Sequence, residues 1–190
     1  MHLPRRAAAA FPLLFMIARL PGGAAASPAP PSGLDALARG EAIALIRHAT
    51  APGIGDPPEM RLDDCASQRN LDEAGRTEAR ALGARLRQSG ISTARIRSSR
   101  WCRCRETATL LALGPVVPHP ALDSFFASRD LAASRTAALA ALVAELGHGP
   151  PVILVTHQVN ITAFTGIVPA PAEIVIVDRR PPHAVRETLR

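Results

Sequence analysis

The sequence contains no lysine, few aromatic residues and no apolar run long enough to span a membrane. All 22 basic residues are arginine, and aromatic residues make up only 3% of the chain. Nucleic-acid-binding surfaces combine basic clusters with aromatic side chains on which bases stack, so this composition predicts no nucleic-acid partner. The 190 residues, 47% hydrophobic and 20% charged, have the composition of one globular domain.

The N-terminal segment has the pattern of an export signal. Two arginines precede an apolar run at residues 7–18, and small alanines follow it. The run is too short to span a bilayer as a helix. We therefore predict that residues 1–26 are a cleaved signal peptide and that the protein is periplasmic or secreted, with no stable membrane insertion after cleavage. Because Arg19 directly behind the run is atypical of a signal, an uncleaved membrane tether is the alternative.

The three cysteines predict one disulfide and one free thiol in an exported chain. A single residue separates Cys102 from Cys104, and a bridge between them would be strained. Cys65 is therefore expected to pair with one of these two, and the sequence leaves open which one.

Alternating strand and helix patterns predict an α/β domain with a largely parallel sheet. Residues 27–40 are interpreted as a linker and domain entry, and residues 41–190 as the domain. Short apolar runs predict the strands, and apolar residues at helical spacing predict the helices. The predicted strands are residues 42–46, 95–97, 152–155 and 174–177. The predicted helices are residues 71–88, 103–112 and 130–146, with a loop at 51–64 and a proline-rich turn at 115–120.

Polar side chains follow the predicted strands where those strands end. Arg47 and His48 follow the first strand, Ser98 and Ser99 follow the second, and His157 follows the third. Open α/β folds bind their ligands at the carboxyl edge of the sheet, so these side chains mark a candidate site. Arginine pairs bidentately with phosphate oxygens, and a neutral imidazole nitrogen can attack phosphorus. The pattern indicates a phosphate-binding site with a histidine nucleophile.

Four segments in order resemble the motifs of the histidine phosphatase superfamily, which has the phosphoglycerate mutase-like fold. Alanine replaces the family's glycine in the first motif. The resemblance covers roughly residues 41–178 and implies a single three-layer αβα domain with a mostly parallel central sheet. The similar segments are Arg47-His48-Ala49-x-Ala51, the helix start at residues 71–79, the serine and arginine segment at residues 98–108, and Val155-Thr156-His157.

The resemblance also implies the roles of individual residues. His48 is expected to be the nucleophile, with Arg47, Arg103 and His157 binding the phosphoryl group. The implied activity is that of a histidine acid phosphatase-like enzyme, which hydrolyses a small phosphorylated substrate through a phosphohistidine intermediate. We expect no cofactor and no metal, and no motif predicts the natural substrate or the oligomeric state.

The resemblance assigns the proton donor for the leaving oxygen less directly. Its nearest counterpart is Asp123, with Asp130 as a substitute, although the surrounding pattern departs from the family's glutamate-rich form. Without an acid, the site would favour substrates with good leaving groups, because a poor leaving group needs a proton. Arg69 and Asn70, which precede the first predicted helix, are secondary candidates for contact with the site.

Three alternative functions remain. A phosphoryl-transferring mutase is disfavoured because its sugar-phosphate substrates are cytoplasmic and the chain lacks the length for a closing lid. A non-catalytic binder of phosphorylated envelope glycans or lipids would need the arginines but not both histidines. A zinc site would use the histidines with two cysteines, but Cys-x-Cys is an unusual ligand spacing and the neighbouring arginines repel a cation. The residues of that site would be Cys102, Cys104, His48 and His157.

Overall fold

A computed structural model describes residues 32–189 of the chain. The predicted signal peptide and the first residues of the predicted linker lie outside this range. Six strands form one sheet in the order β3-β2-β4-β1-β5-β6. The strands are β1 Ala42–Arg47, β2 Arg95–Ser98, β3 Val116–Pro118, β4 Val152–Thr156, β5 Ile174–Asp178 and β6 Val185–Leu189.

The sheet is parallel in its first four strands and antiparallel at its other edge. Strand β4 pairs in parallel with both β1 and β2, and β2 pairs in parallel with β3. Strands β5 and β6 add antiparallel pairs beside β1. Every residue of β4 is buried, as expected for a central strand covered on both faces. The prediction of a single α/β domain with a mostly parallel sheet is confirmed.

Five α-helices cover the two faces of the sheet. Side chains alternate along β1, so Ala44 and Ile46 join one core cluster while Ile43 and Leu45 join the other. Helices α1, α2 and α3 contribute to the first cluster, and α4 and α5 contribute to the second. This arrangement gives the three layers. The helices are α1 Gly33–Ala38, α2 Glu73–Gln88, α3 Cys102–Leu110, α4 Ala132–Leu146 and α5 Gln158–Thr165.

Four elements differ from the sequence predictions. Helix α1 lies in the predicted linker and domain entry, where Ser32 caps it and Asp35 returns the capping bond. Strand β3 lies where the sequence predicted a turn at residues 115–120. That prediction is wrong, because the residues of β3 pair with β2. Helix α5 and strand β6 were not predicted: the helix starts directly after His157, and the strand is largely polar and exposed. Among residues 32–189, no helix is both long and apolar enough to cross a membrane.

One disulfide joins the loop after β1 to the start of α3. Cys65 is bonded to Cys102, which confirms the prediction that Cys65 pairs with one of the other two cysteines. Cys104 is a buried free thiol. Because the disulfide consumes the thiolate of Cys102, the zinc alternative loses one of its four ligands.

Candidate active site

The ends of β1 and β4 bring the two predicted histidines together. These strands are adjacent and parallel, with Arg47 opposite Thr156 in the register. The backbone N–H of His48 donates to the carbonyl of Thr156 at 3.0 Å, which extends the strand pairing by one residue. The rings of His48 and His157 consequently lie with their centroids 5.4 Å apart, edge to face.

The hydrogen bonds of His48 fix its tautomer. Its Nδ1 lies 2.8 Å from the carbonyl oxygen of Ala49, and a carbonyl oxygen only accepts, so Nδ1 carries the proton. Its Nε2 accepts from Nε of Arg103 at 3.3 Å. The neutral ring therefore has its free lone pair on Nε2, which is the form of imidazole that can attack phosphorus.

His157 has the opposite tautomer to His48 and contacts the same arginine. Nη2 of Arg103 lies 3.5 Å from Nδ1 of His157, and a guanidinium only donates, so Nδ1 accepts. The proton is then on Nε2, which donates to the hydroxyl of Ser99 at 2.9 Å. The Trp101 ring packs edge-on against His157 with centroids 5.4 Å apart. The Sγ of Cys104 is 3.5 Å from Nε2, and burial raises the pKa of this thiol to about 12, so it stays protonated.

Burial keeps both imidazoles neutral. Removal from water, followed by the positive charge of Arg103, lowers the pKa of His48 from 6.5 to about 3. Burial and the neighbouring His48 lower the pKa of His157 well below its ordinary value. Both rings are uncharged at neutral pH in the absence of an anion.

Arg103 is the centre of the cluster, and all five of its N–H donors have acceptors. Its Nη1 and Nη2 donate to the two carboxylate oxygens of Asp56 at 2.7 and 3.0 Å. Nη1 also donates to the carbonyl of Arg69 at 3.2 Å, and the remaining donors face His48 and His157. The side chain is buried, with 3% exposed. Any anion that binds here would have to take over donors that serve these protein groups.

Asp56 was not among the residues singled out from the sequence. Burial raises the pKa of its carboxyl group, but hydrogen bonds from Arg103 and its positive charge outweigh burial, so the net pKa lies below the usual range. It also accepts from the backbone N–H of Arg69 at 3.1 Å and from the indole of Trp101 at 3.0 Å. An acidic residue inside a loop rich in proline and glycine has no spacing that would identify it in advance.

Arg47 and Arg69 add positive charge at the edge of the cluster. Nη1 of Arg47 donates to the carbonyl of Pro169 at 2.8 Å, while its buried Nε has no partner within the described residues. Burial lowers the pKa of both arginines below the ordinary value for a guanidinium. Arg69 holds the loop after β1 through its bond from Nε to the carbonyl of Gly55 at 2.7 Å. Asn70, the other secondary candidate, donates instead to the carbonyl of Cys65 at 2.6 Å and does not line the cavity.

These side chains line one cavity of about 830 Å³. Four predicted phosphate-binding residues contribute to its wall: Arg47, His48, Arg103 and His157. Asp56 is the only carboxylate among the lining residues. The cavity combines an imidazole pair and guanidinium groups in a way suited to a tetrahedral anion.

The structure does not bring Asp123 to this cavity. Its carboxylate is 1% exposed and accepts from the backbone N–H and from Nε of Arg100, at 2.9 and 2.7 Å. The hydroxyl of Ser99 makes a longer bond to it at 3.3 Å. Asp130, the substitute, is exposed and also does not line the cavity. The position of neither residue supports its assignment as the proton donor.

Helix α2 supports the loop that begins with His48. A Cβ atom at Gly75 would lie only 2.0 Å from the carbonyl oxygen of Thr50, so only glycine permits this close approach. Glu78 then accepts from both the backbone N–H and the hydroxyl of Thr50, each at 2.9 Å. From α3, the hydroxyl of Thr107 accepts from the N–H of Ala49 at 3.1 Å. These contacts explain why the sequence motifs include residues that do not touch the cavity.

The fold and the cluster together define an α/β protein with a histidine-based site for a tetrahedral anion. The family model of the histidine phosphatase superfamily (branch 1) matches residues 43–126. This match includes the first three motifs, so the chain is similar to the histidine phosphatase superfamily over these residues. A comparison with curated proteins found no match.

Solved structures share the fold at low sequence identity. The putative phosphohistidine phosphatase SixA from Agrobacterium tumefaciens is 21% identical, with 80% of this chain and 98% of that chain covered and a TM-score of 0.55. A protein histidine phosphatase SixA complexed with tungstate is 18% identical, with 78% and 96% covered and a TM-score of 0.55. The mycobacterial glucosyl-3-phosphoglycerate phosphatase Rv2419c with VO3 is 20% identical, with 73% and 92% covered and a TM-score of 0.54.

Proposed function

We propose that the chain is an exported phosphatase that hydrolyses phosphomonoesters through a phosphohistidine intermediate on His48. The observation that carries this proposal is the tautomer of His48, whose proton is held by the Ala49 carbonyl so that Nε2 is free to attack. The match to the superfamily model and the fold shared with known phosphatases support phosphatase-type activity.

In the first step, the phosphoryl group binds between the two imidazoles. Its oxygens accept the Arg103 donors that face His48 and His157, together with the Nε of Arg47, which has no partner within residues 32–189. Nε2 of His48 then forms a bond to phosphorus while the bond from phosphorus to the ester oxygen breaks. The Ala49 carbonyl stabilises the positive charge that the ring acquires, because it accepts from Nδ1.

In the second step, water attacks the phosphohistidine. A P–O bond forms, the P–N bond breaks, and the lone pair returns to Nε2 of His48, which releases inorganic phosphate. The negative charge on the phosphoryl oxygens favours the protonated form of His157, which then donates to the anion as well.

The leaving oxygen departs without a dedicated acid in this mechanism. Within residues 32–189, Asp56 is the only carboxylate at the cavity, and its pairing with Arg103 keeps it ionised at neutral pH. Substrates whose alcohol is a good leaving group are therefore favoured, because they need no proton in the transition state.

Two features support export. The pattern of residues 1–26 is that of a signal peptide. Disulfides such as the one between Cys65 and Cys102 form and persist in oxidising compartments. Fractionation of cells that express the full chain tests this part. Recovery of the protein only from the cytoplasm, at full length, would contradict it.

The enzymatic test uses the full chain with 4-nitrophenyl phosphate and with the same ester labelled on phosphorus. We expect turnover without added metal and an acid-labile, alkali-stable label on the protein after rapid quenching. His48→Ala removes both, whereas His148→Ala, at an exposed position outside the cavity, removes neither. If His48→Ala keeps its turnover, the nucleophile is assigned wrongly.

The same assay separates the alternatives. Binding of a phosphorylated glycan or lipid without any turnover of phosphate esters favours a non-catalytic binder. Transfer of the labelled phosphoryl group to an added sugar phosphate, in preference to water, favours a mutase.

A further inference from the structure

The cavity extends well beyond the room that a phosphoryl group requires. Such a group occupies the space of about two or three water molecules, at ~30 Å³ each. The cavity measures about 830 Å³, a volume in the range of sites that enclose an organic ligand. The substrate that fits it therefore has a sizeable group attached to the phosphate.

The loop after β1 exposes an isoleucine at this cavity. Ile54 is 91% exposed although it lines the cavity wall. Its two neighbours, Gly53 and Gly55, have φ angles of +88° and +72°, a region that glycine adopts without strain. This backbone places Ile54 outside the core, so the folded protein leaves a large apolar side chain in solvent.

A second loop adds an aromatic ring to the same cavity. Phe126 is 45% exposed, and the guanidinium of Arg129 lies 4.9 Å from the centre of its ring. The two loops lie close together, since a Cβ atom at Gly55 would be 3.8 Å from Cε1 of Phe126. Ile54 and Phe126 both line the cavity that also contains the histidine and arginine cluster. We call this pair the apolar lip.

We infer that the apolar lip binds the leaving group of the substrate and that the enzyme acts on aryl phosphate esters. This inference rests on the proposed function. The cluster of His48 and Arg103 binds the phosphoryl end, and a flat apolar ring removes surface of Ile54 and Phe126 from water. An aryl oxide is also the kind of leaving group that departs without a proton donor, which matches a cavity whose only carboxylate is ionised.

The test compares two non-hydrolysable phosphonates by calorimetric titration of the full-length protein. Phenylphosphonate and methylphosphonate carry the same anionic group and differ in the ring. We expect phenylphosphonate to bind about tenfold more tightly. The double substitution Ile54→Ala, Phe126→Ala is expected to reduce this ratio to about two without changing the affinity for methylphosphonate. Val117→Ala is the matched control, because Val117 is also 45% exposed but does not line the cavity.

Every result decides the inference. A ratio near one in the wild-type protein, or a ratio that the double substitution leaves unchanged, overturns it. Preferential binding of phenylphosphonate that depends on the lip supports it even if 4-nitrophenyl phosphate is not hydrolysed, in which case only the proposed catalysis fails. If neither phosphonate binds and no ester is hydrolysed, the proposed function fails and the inference fails with it.

Discussion

The two strand ends that deliver histidines to the site differ in what surrounds each ring. At the end of β1, His48 has its proton on Nδ1, held by a backbone carbonyl, and its lone pair lies on the cavity side against Arg103. At the end of β4, His157 has its proton on the opposite nitrogen, directed at Ser99 behind the cavity. The same side chain at equivalent positions of neighbouring strands therefore has two different protonation patterns.

The difference shows that the hydrogen-bond partners of each ring, and not its position at the end of a strand, determine which nitrogen carries the proton. A backbone carbonyl cannot change its acceptor character, so the tautomer of His48 is fixed. Nδ1 of His157 accepts from Arg103, and an anion that takes over this donor would leave Nδ1 free to gain a proton. A fixed lone pair suits a nucleophile, and an adjustable ring suits a group that stabilises charge.

The largest effect is expected when each histidine is replaced in turn by asparagine. His48→Asn should abolish both turnover and the labelled intermediate, because no lone pair remains at the point of attack. His157→Asn should lower kcat by roughly 100- to 1,000-fold, while label still accumulates on His48. Rapid-quench labelling of both variants measures this. Equal loss of label in the two variants would contradict the prediction that His48 alone forms the labelled intermediate.

A second substitution addresses the arginine that bridges both rings. Arg103→Lys should lower kcat/KM by about 100-fold, since an ammonium cannot reproduce the planar fork that serves both histidines and the anion. Arg100→Lys, three residues away and outside the cavity, is the matched control and should stay close to wild type. Steady-state kinetics on 4-nitrophenyl phosphate decide the point. Activity of Arg103→Lys close to wild type would mean that position 103 acts only through charge, and similar losses in both variants would mean that the effect is not specific to the cluster.

Acid should destabilise the fold through the neutral imidazoles. The pKa of His48 is about 3 in the folded protein and 6.5 unfolded, so the unfolded chain takes up the proton first as the pH falls. The contribution of neutral His48 to the free energy of unfolding is fully present above about pH 6.5. It is lost progressively as the pH falls from there to about pH 3. Between pH 7 and pH 5, wild type should lose about 2 kcal/mol more than His48→Asn. Urea unfolding of both proteins at pH 7 and pH 5 measures this difference. Equal losses of unfolding free energy in wild type and His48→Asn would contradict the prediction.

The smallest effect on activity is expected at Asp123. Asp123→Asn should lower the free energy of unfolding by about 1–2 kcal/mol, because Arg100 and Ser99 lose a charged acceptor. Turnover of aryl and alkyl phosphates should change no more than about twofold. Kinetics with both esters provide the readout. A loss of ~100-fold confined to the alkyl ester would instead identify Asp123 as the proton donor.

The residues predicted from the sequence are those whose position follows from the regular pattern of the fold. Arg47 ends strand β1, His48 and His157 come directly after β1 and β4, and Arg103 lies in the first turn of a helix, so a parallel sheet places them at one edge. Asp56 could not be predicted, because its contact with Arg103 depends on the path of an irregular loop. Asp123 directly precedes Ser124, which lines the cavity, but the Asp123 carboxylate is bonded to Arg100 and does not line the cavity itself.

The same reason explains the elements that the sequence did not reveal. Strand β3 has three residues and gains its pairing from β2, and β6 gains its pairing from β5, so neither has a periodic pattern of its own. Helix α5 is short and partly buried, which removes the contrast between its faces. Each of these elements depends on tertiary contacts more than on local pattern.

The disulfide between Cys65 and Cys102 makes the loop after β1 an exchangeable segment. Its first residues continue β1, and its far end is covalently attached to the start of the helix that bears Arg103. Residues 52–60 can therefore vary in sequence, except Asp56, whose carboxylate holds Arg103 in place. We expect a library confined to the other eight positions to alter which phosphate esters the proposed site accepts while the cluster around His48 is retained.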